Sequence, residues 1–453
     1  MARPRTPPPH PAHCPAQPPV IVAGGGWAGL ATAVELTDLG HRVLLLESSR
    51  QLGGRARRLA FGKDGVDNGQ HLLIGAYRET LRLMERVGVH EHHACLRLPL
   101  RLEVRAEREA LLLKAPPLPA PAHLAMALLI GRGLRTGERL RALRFALRHY
   151  FSGFELAEDA SVADLLADQP ARLVRLLWNP LCLATMNTLP EQASARVFLR
   201  VLRDAFARKR SDSDLLIPRV DLGRSFPEPA LDFIERHGGQ VRLGARATAL
   251  EVRDNRVTGL WLGSERIAGS QVVLAVPPSQ AARLLSMHPG SAPLAGTLAG
   301  LGHEPIATVY LRYPAHVRLP AEMVGLTGGL AQWLFDRRVY GQPGLLAAVI
   351  SGPGVHTDLT REALATQVAG EIAAQFPHFP APVEELVVRE KRATFRCTVG
   401  IDAHRPQAAT PLAGCWLAGD YTDTGYPATL EGAVRSGVQC ARLIDVQLRQ
   451  GTP

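Results

Sequence analysis

The stretch from Val20 to Arg55, VIVAGGGWAGLATAVELTDLGHRVLLLESSRQLGGR, constrains the fold more than any other part of the chain. Its short apolar run, Val20 to Ala23, has the character of a buried parallel strand. The run enters Gly24-x-Gly26-x-x-Gly29, and the Ala/Leu/Val-rich segment from Leu30 to Leu39 then has helical spacing. A second apolar run, Val43 to Leu46, ends on an acid, Glu47. Strand, turn, helix, strand and terminal acid follow in the order a dinucleotide site requires. The first glycine permits the tight turn and the second lets backbone approach a pyrophosphate. The third lets helix and strand pack closely, with the helix N-terminus facing the negative charge. An acid about twenty residues past the glycines can accept a hydrogen bond from a ribose hydroxyl.

Glu47 in place of aspartate, followed by Leu52-Gly53-Gly54-Arg55, turns the choice from NAD towards FAD. The whole segment resembles the N-terminal signature of the flavin amine oxidase and phytoene desaturase superfamily. That resemblance implies a cofactor contact set of Gly24, Gly26, Trp27, Ala28, Gly29, Glu47, Gly54 and Arg55. It also implies that Arg55 meets the pyrophosphate, a task suited to a planar, permanently charged fork.

At 453 residues the chain is long enough for two domains. Its 46% apolar and 21% charged content is that of a globular protein, and its formal charge of +10 comes almost wholly from arginine. No compact basic run with interleaved aromatics occurs, which argues against nucleic-acid binding. An anionic membrane surface is the better basic-protein partner. Cys14, Cys95, Cys182, Cys397, Cys415 and Cys440 are scattered with no C-x-x-C pair. That pattern speaks against a disulfide framework or a zinc site and fits a reducing compartment. We expect no metal. Residues 1–19 are proline-rich without the apolar core of a signal peptide, and read as a disordered tail. No apolar run approaches the roughly 20 residues that span a bilayer. The expectation is a cytoplasmic protein, soluble or peripheral on the inner face of the membrane.

A hairpin is predicted over Ala56 to Val66, followed by Asp67-Asn68-Gly69-Gln70-His71-Leu72-Leu73 and a helix within Gly75 to Val87. From residue 88 onward the pattern reads as arginine-rich helices. Ala122 to Ile130 is apolar, and Arg132, Arg135, Arg139, Arg141, Arg144 and Arg148 then alternate with leucines. Two readings fit this segment: a basic amphipathic element on a membrane, or a cap helix with a solvated basic face. Leu173 to Thr188 either lines a cavity or fills a core. Leu215 to Gly223 reads as a loop leading into a helix over Pro229 to His237. Gln240 to Val252 alternates like one strand, and Val257 to Leu262 and Gln271 to Pro278 give two more. Further strands are predicted over Ala307 to Tyr313, Gln332 to Phe335 and Leu345 to Ser351, with a helix over Arg361 to Phe376. Gly131-x-Gly133 and Gly352-x-Gly354 lack the third glycine and the strand context, so a separate NAD(P)H domain is not expected.

The second strong signal is Cys415 to Gly437, CWLAGDYTDTGYPATLEGAVRSG. A strand ends in a glycine and an acid, a loop follows, and Glu431-Gly432-Ala433 opens a helix. A helix N-terminus offers unpaired N–H groups to the negative charge of a reduced flavin. The superfamily resemblance implies that Gly419 and Asp420 serve the ribityl or pyrophosphate region. It also implies that Thr429, Leu430, Gly432 and Ala433 meet the flavin edge and that Tyr426 faces the isoalloxazine. Ala247 matches the position whose backbone amide lies beside the adenine.

The runs VDNGQHLLIGAY, WNPLCLATMNT, LLIPRVDLGRSFPEPA and WLAGDYTDTGYPATLEGAVRSG resemble one family within that superfamily. It is the bacterial hydroxysqualene dehydroxylases, also called squalene-associated FAD-dependent desaturases. The likeness runs from about Val20 to Leu448. It implies an α/β fold with a Rossmann-like FAD-binding domain of GR2 type (20–87, 215–280 and 395–448) and a discontinuous α+β substrate domain (88–214 and 281–394). It further implies FAD as cofactor, a C30 isoprenoid substrate, and reductive removal of an allylic hydroxyl from hydroxysqualene to give squalene. The proton donor is expected among His71, Tyr421, Asp423 and Tyr426, with His71 first, although His71 also fits a role in ordering its loop. A phytoene-type desaturase is the nearest alternative, and a flavin amine oxidase or a non-enzymatic prenyl-lipid carrier is more remote.

Overall fold

A computed structural model describes residues 18–62, 64–107 and 109–450. The proline-rich tail, apart from its last two residues, lies outside the described residues, as does Cys14. The five described cysteines are free and buried.

The first strand, β1 (Val20–Ala23), sits in the middle of a five-stranded parallel sheet. Its neighbours are β2 (Val43–Glu47) and Val272–Leu274, and the sheet is completed by Gln240–Leu243 and Cys415–Leu417. Both faces are covered, which is why these strands are apolar throughout rather than alternating. Val20, Val22, Val43 and Leu45 join one core cluster, and Ile21, Ala23, Leu44 and Leu46 join the other. On the first face, helix α1 (Trp27–Asp38) packs against the last helix, Leu430–Gln450. The crossing is close: a Cβ on Gly437 would lie 2.3 Å from the Ala28 carbonyl oxygen. Leu250, Val257 and Leu260 of a three-stranded antiparallel sheet share the core on the opposite face.

The second layer is a seven-stranded sheet in the order Glu384–Phe395, His303–Arg312, Leu345–Ser351, Trp333–Asp336, Met323–Leu326, Arg101–Arg105, Ala110–Lys114. One face carries Val309, Leu311, Leu334, Leu346 and Ile350 and is covered by Leu364, Val368 and Ile372 of the helix Arg361–Gln375. The other face carries Ile306, Thr308, Val349, Trp333 and Met323 and forms one wall of a cavity.

Three local expectations change. Residues 88–114 are mostly strands, because Arg101–Arg105 and Ala110–Lys114 alternate and extend the seven-stranded sheet; helix is confined to Glu91–Ala94. Leu215–Pro218 is a strand rather than a loop, held between Leu73–Ile74 and Cys95–Leu98. Gln240 to Val252 is two strands in two sheets. The chain leaves the parallel sheet at Gly244, whose φ is +71°, while Gly244 and Ala245 donate back to the Ser49 and Glu47 carbonyls.

Candidate active site

A cavity of about 740 Å³ lies between the two large sheets. Its polar end is built at the carboxyl edge of the parallel sheet. Gly24 has φ +119°, and a Cβ there would lie 2.2 Å from the Ala275 carbonyl oxygen, so the turn out of β1 admits only glycine. Gly29 supports this turn from behind, since a Cβ on it would sit 1.9 Å from the Gly24 oxygen. Gly26 faces open space, with the nearest atom to a notional Cβ being Gly54 Cα at 3.9 Å. Glu47 closes the end. Its Oε2 accepts from the Gly25 amide at 2.6 Å and its Oε1 from the Ser49 amide at 2.6 Å, which fixes the carboxylate and leaves lone pairs free.

The C-terminal motif meets this end directly. Gly419, Asp420, Thr429, Leu430 and Ala433 line the same cavity as Gly24, Gly26, Trp27, Ala28, Gly54 and Arg55. Arg55 joins the two, donating to Asp420 Oδ1 at 2.8 Å and to the Ala393 carbonyl at 2.6 Å. The loop from Asp420 to Tyr426 wraps a buried guanidinium. Arg405 donates to the carbonyls of Tyr426 at 2.6 Å, Asp420 at 3.0 Å and Thr422, and to Thr424 Oγ1 at 3.0 Å. Glu431, fully buried, accepts from Thr80 N at 2.9 Å and Thr80 Oγ1 at 2.7 Å, and pairs with Arg435 at 2.7 Å. It thereby places negative charge at the N-terminus of the helix Arg78–Arg86 and anchors the start of the last helix to it.

Gly29, Gly432, Ala247 and Asp423 are off the cavity wall. Gly29 and Gly432 act from behind it: a Cβ on Gly432 would press to 2.9 Å on the Pro427 oxygen. Ala247 is buried, and Asp423 turns away to accept from Gln407 at 2.9 Å.

Of the four expected proton-handling residues, His71, Tyr421 and Tyr426 line the cavity. His71 Nδ1 is 3.0 Å from the Gly69 carbonyl oxygen, an acceptor only, so Nδ1 carries the proton and Nε2 is left as an acceptor. Burial pushes the imidazole pKa down to about 4, outweighing the Gly69 hydrogen bond, so the ring is neutral near pH 7. The Tyr421 hydroxyl is buried without a partner among the described residues, and burial holds it protonated. Tyr426 donates to Asp204 Oδ2 at 2.5 Å, with the Arg435 guanidinium 4.2 Å over its ring. Burial and this hydrogen bond both raise the Tyr426 pKa. Burial alone would raise Asp204, but the hydroxyl of Tyr426 and the guanidinium of Arg203 outweigh it and keep the carboxylate ionised.

Sequence reading missed Asp204, Glu390 and Arg405. Asp204 and Glu390 are acids in the wall, and Asn68 links Arg55 to Glu390 by donating to the Arg55 carbonyl at 2.9 Å and to Glu390 Oε2 at 3.2 Å. None of the three lies in a motif, and distant pairing brings them to the site.

Beyond these groups the wall is mainly apolar, with Thr185, Asn187, Ser213, Thr308, Ser351 and Thr394 interspersed. Leu102, Leu113, Leu128, Leu143, Leu177 and Trp178 represent it, and Leu173 to Thr188 contributes to both cavity wall and core. Among the described residues, no group of His, Cys, Asp and Glu is placed to hold a metal ion. No helix among them is long and apolar enough to cross a membrane.

The polar end fits a flavin dinucleotide. It combines an open backbone approach at Gly26, a fixed carboxylate with spare lone pairs, and the N-termini of α1 and the last helix, both opening onto one cavity. Residues 27–445 match the family described as flavin containing amine oxidoreductase. Hydroxysqualene dehydroxylase of Rhodopseudomonas palustris is 31% identical, covering 94% of this chain and 98% of the relative. The chloroplastic 15-cis-phytoene desaturase of Solanum lycopersicum is 26% identical, covering 94% and 77%. Among solved structures, cyclohexylamine oxidase from Brevibacterium oxydans superimposes with a TM-score of 0.69 at 17% identity, covering 95% of this chain and all (100%) of that one. The chain belongs to the flavin containing amine oxidoreductase family, in the company of the hydroxysqualene dehydroxylases, and is an FAD-dependent oxidoreductase.

Proposed function

We propose that the protein removes the hydroxyl of hydroxysqualene reductively, releasing squalene and water. The observation that carries this reading is one cavity whose flavin-fitting polar end continues into a mainly apolar wall, in a chain whose relatives act, by name, on isoprenoids. When bound and reduced, FAD supplies a hydride. The allylic C–O bond breaks with its electron pair leaving on oxygen, a proton converts that oxygen to water, and the hydride closes the valence at carbon. Ionisation is feasible because the allylic cation is delocalised, and the apolar wall keeps competing water away from it.

The residues divide this work. Gly24, Gly26, Glu47, Arg55, Gly419 and Asp420 would hold the dinucleotide and ribityl parts of the cofactor, and the Thr429 to Ala433 helix start would meet its ring. Tyr421 is the proton donor we favour among the candidates, because it lines the cavity with its hydroxyl proton uncommitted among the described residues, whereas the proton of Tyr426 is given to Asp204. His71, neutral with Nε2 free, accepts rather than donates. The ionised Asp204 adds a negative charge that steadies the developing cation. The FAD-binding and substrate domains follow the division at residues 20–87, 215–280 and 395–448 against 88–214 and 281–394. We further propose that the helices Ala122–Ile130 and Thr136–Phe151 rest on an anionic membrane at its inner, cytoplasmic face. Ile130 is 57%, Leu140 59% and Phe151 81% exposed, beside exposed Arg144 and Arg148, while Leu128, Leu143 and Leu147 of these helices line the cavity.

The test is anaerobic incubation of flavin-loaded protein with reduced FAD and hydroxysqualene, followed by product analysis, with oxidised protein and phytoene as the parallel arm. Squalene in the first arm supports the proposal. Unchanged hydroxysqualene together with desaturated phytoene replaces it with the oxidative reading.

A further inference from the structure

One hydroxyl in the apolar wall is unexplained by anything so far described. Thr308 lies on the cavity face of the strand His303–Arg312, and the residue is only 1% exposed. Its Oγ1 has no hydrogen-bond partner among the described residues. Its neighbours across the sheet, in register, are Val388 on one side and Val349 on the other, and both line the cavity. Valine has the shape of threonine and would fill this row without stranding a polar atom. A buried hydroxyl without a partner is costly, so its natural explanation is a partner that arrives with a ligand. Trp333 Nε1, His149 Nδ1 and the Tyr421 hydroxyl are also unpartnered at the wall, but the first two are edges of rings that bury mainly apolar surface and Tyr421 stands at the polar end beside Asp420.

A second group stands beside this hydroxyl. A Cβ built on Gly69 would be 3.7 Å from Thr308 Oγ1 and 3.8 Å from His71 Cε1, so the two side chains flank the same glycine. Gly69 has φ +103°, and even a single added carbon there would already be in van der Waals contact with both groups. With its Nδ1–H committed to the Gly69 carbonyl, His71 presents Nε2 as an acceptor. A donor hydroxyl and an acceptor nitrogen on one side of the wall, at the border between its polar and apolar parts, are complementary to an alcohol.

We propose that Thr308 and His71 together recognise the substrate's hydroxyl, Thr308 donating to its oxygen and His71 Nε2 accepting its proton in a hydrogen bond, and so select an allylic alcohol over a hydrocarbon of the same length. The proposal rests on the function proposed above and deepens it. A site built around a hydrogen bond to a substrate hydroxyl discriminates strongly against the analogue lacking it. A purely apolar wall separates substrates only by size.

The experiment compares flavin-loaded wild type, Thr308→Val and Thr308→Ser. Binding of hydroxysqualene and of squalene to the oxidised protein is read by titrating the flavin absorbance, and turnover of hydroxysqualene is measured separately. In wild type, hydroxysqualene binds more tightly than squalene. In Thr308→Val that preference falls by about 10- to 100-fold while squalene binding and the flavin spectrum stay as in wild type. Thr308→Ser, which restores the hydroxyl, keeps most of the preference. Equal binding of the two ligands by wild type, or an unchanged preference in Thr308→Val, overturns the proposal. So does loss or spectral shift of the flavin in Thr308→Val, because the hydroxyl then serves the cofactor. Failure of wild type to convert hydroxysqualene while still preferring it in binding sinks the reaction and leaves the recognition site standing.

Discussion

The two ends of the cavity are built on opposite plans. The polar end is made of backbone: glycines at Gly24, Gly26 and Gly54, amides fixing Glu47, and two helix starts. The apolar end is made of side chains from many segments, whose shared property is volume. A backbone site tolerates little change where, as at Gly24 and Gly29, an added carbon collides with backbone atoms that cannot move. A side-chain wall tolerates exchange at constant volume. Under the proposed function, the cofactor is therefore specified tightly and the hydrocarbon loosely, and the sparse polar groups in the loose half, such as Thr308, would carry its chemical selectivity.

Substitutions at the two ends can break or sharpen this contrast. The largest effect is expected from Gly29→Val, which drives side-chain atoms into the Gly24 carbonyl, 1.9 Å from the first added carbon. The purified variant should lack flavin absorbance and should unfold with loss of at least about 3 kcal/mol. A yellow, stable Gly29→Val protein would remove the distinction between the two ends. An intermediate effect is expected outside the cavity. The double change Leu140→Asp and Phe151→Asp removes two exposed apolar contacts and adds negative charge. Retention on phosphatidylglycerol vesicles should drop by about tenfold or more while flavin content is unchanged. Unaltered vesicle binding would assign the basic helix to solvent. The smallest effect is expected from Leu177→Met in the apolar wall, which conserves volume. Stability should change by less than about 1.5 kcal/mol in denaturant titration, with kcat/KM for hydroxysqualene within a few-fold of wild type. A collapse of activity there would mean the hydrocarbon end is as tightly specified as the nucleotide end.

The same contrast explains what the sequence revealed. Val20 to Arg55 and Cys415 to Gly437 were legible because each is contiguous, and its glycines report backbone geometry directly. Their meeting in one cavity followed from their common chemistry. Thr308, Asp204 and Glu390 carried no such signal. They reach the site through strand register and helix packing between segments far apart, and an isolated threonine or acid looks the same in a wall as on a surface. Leu215–Pro218 escaped as a strand because its hydrogen bonds come from Leu73–Ile74 and Cys95–Leu98, and nothing local announces them. Gln240 to Val252 misled for a related reason: alternation continues across Gly244, where the chain changes sheet.

The clasp between Arg55 and Asp420 joins positions 365 residues apart. At roughly 5 to 20 residues per second, a ribosome needs on the order of 20 to 70 seconds to make the second half after releasing the first. Throughout that interval the glycine turn and Glu47 exist without the loop that completes their pocket. Flavin loading is therefore a late event in the life of this polypeptide. Any nascent chain cut short before its final strand and helix would emerge colourless, however well its beginning had folded.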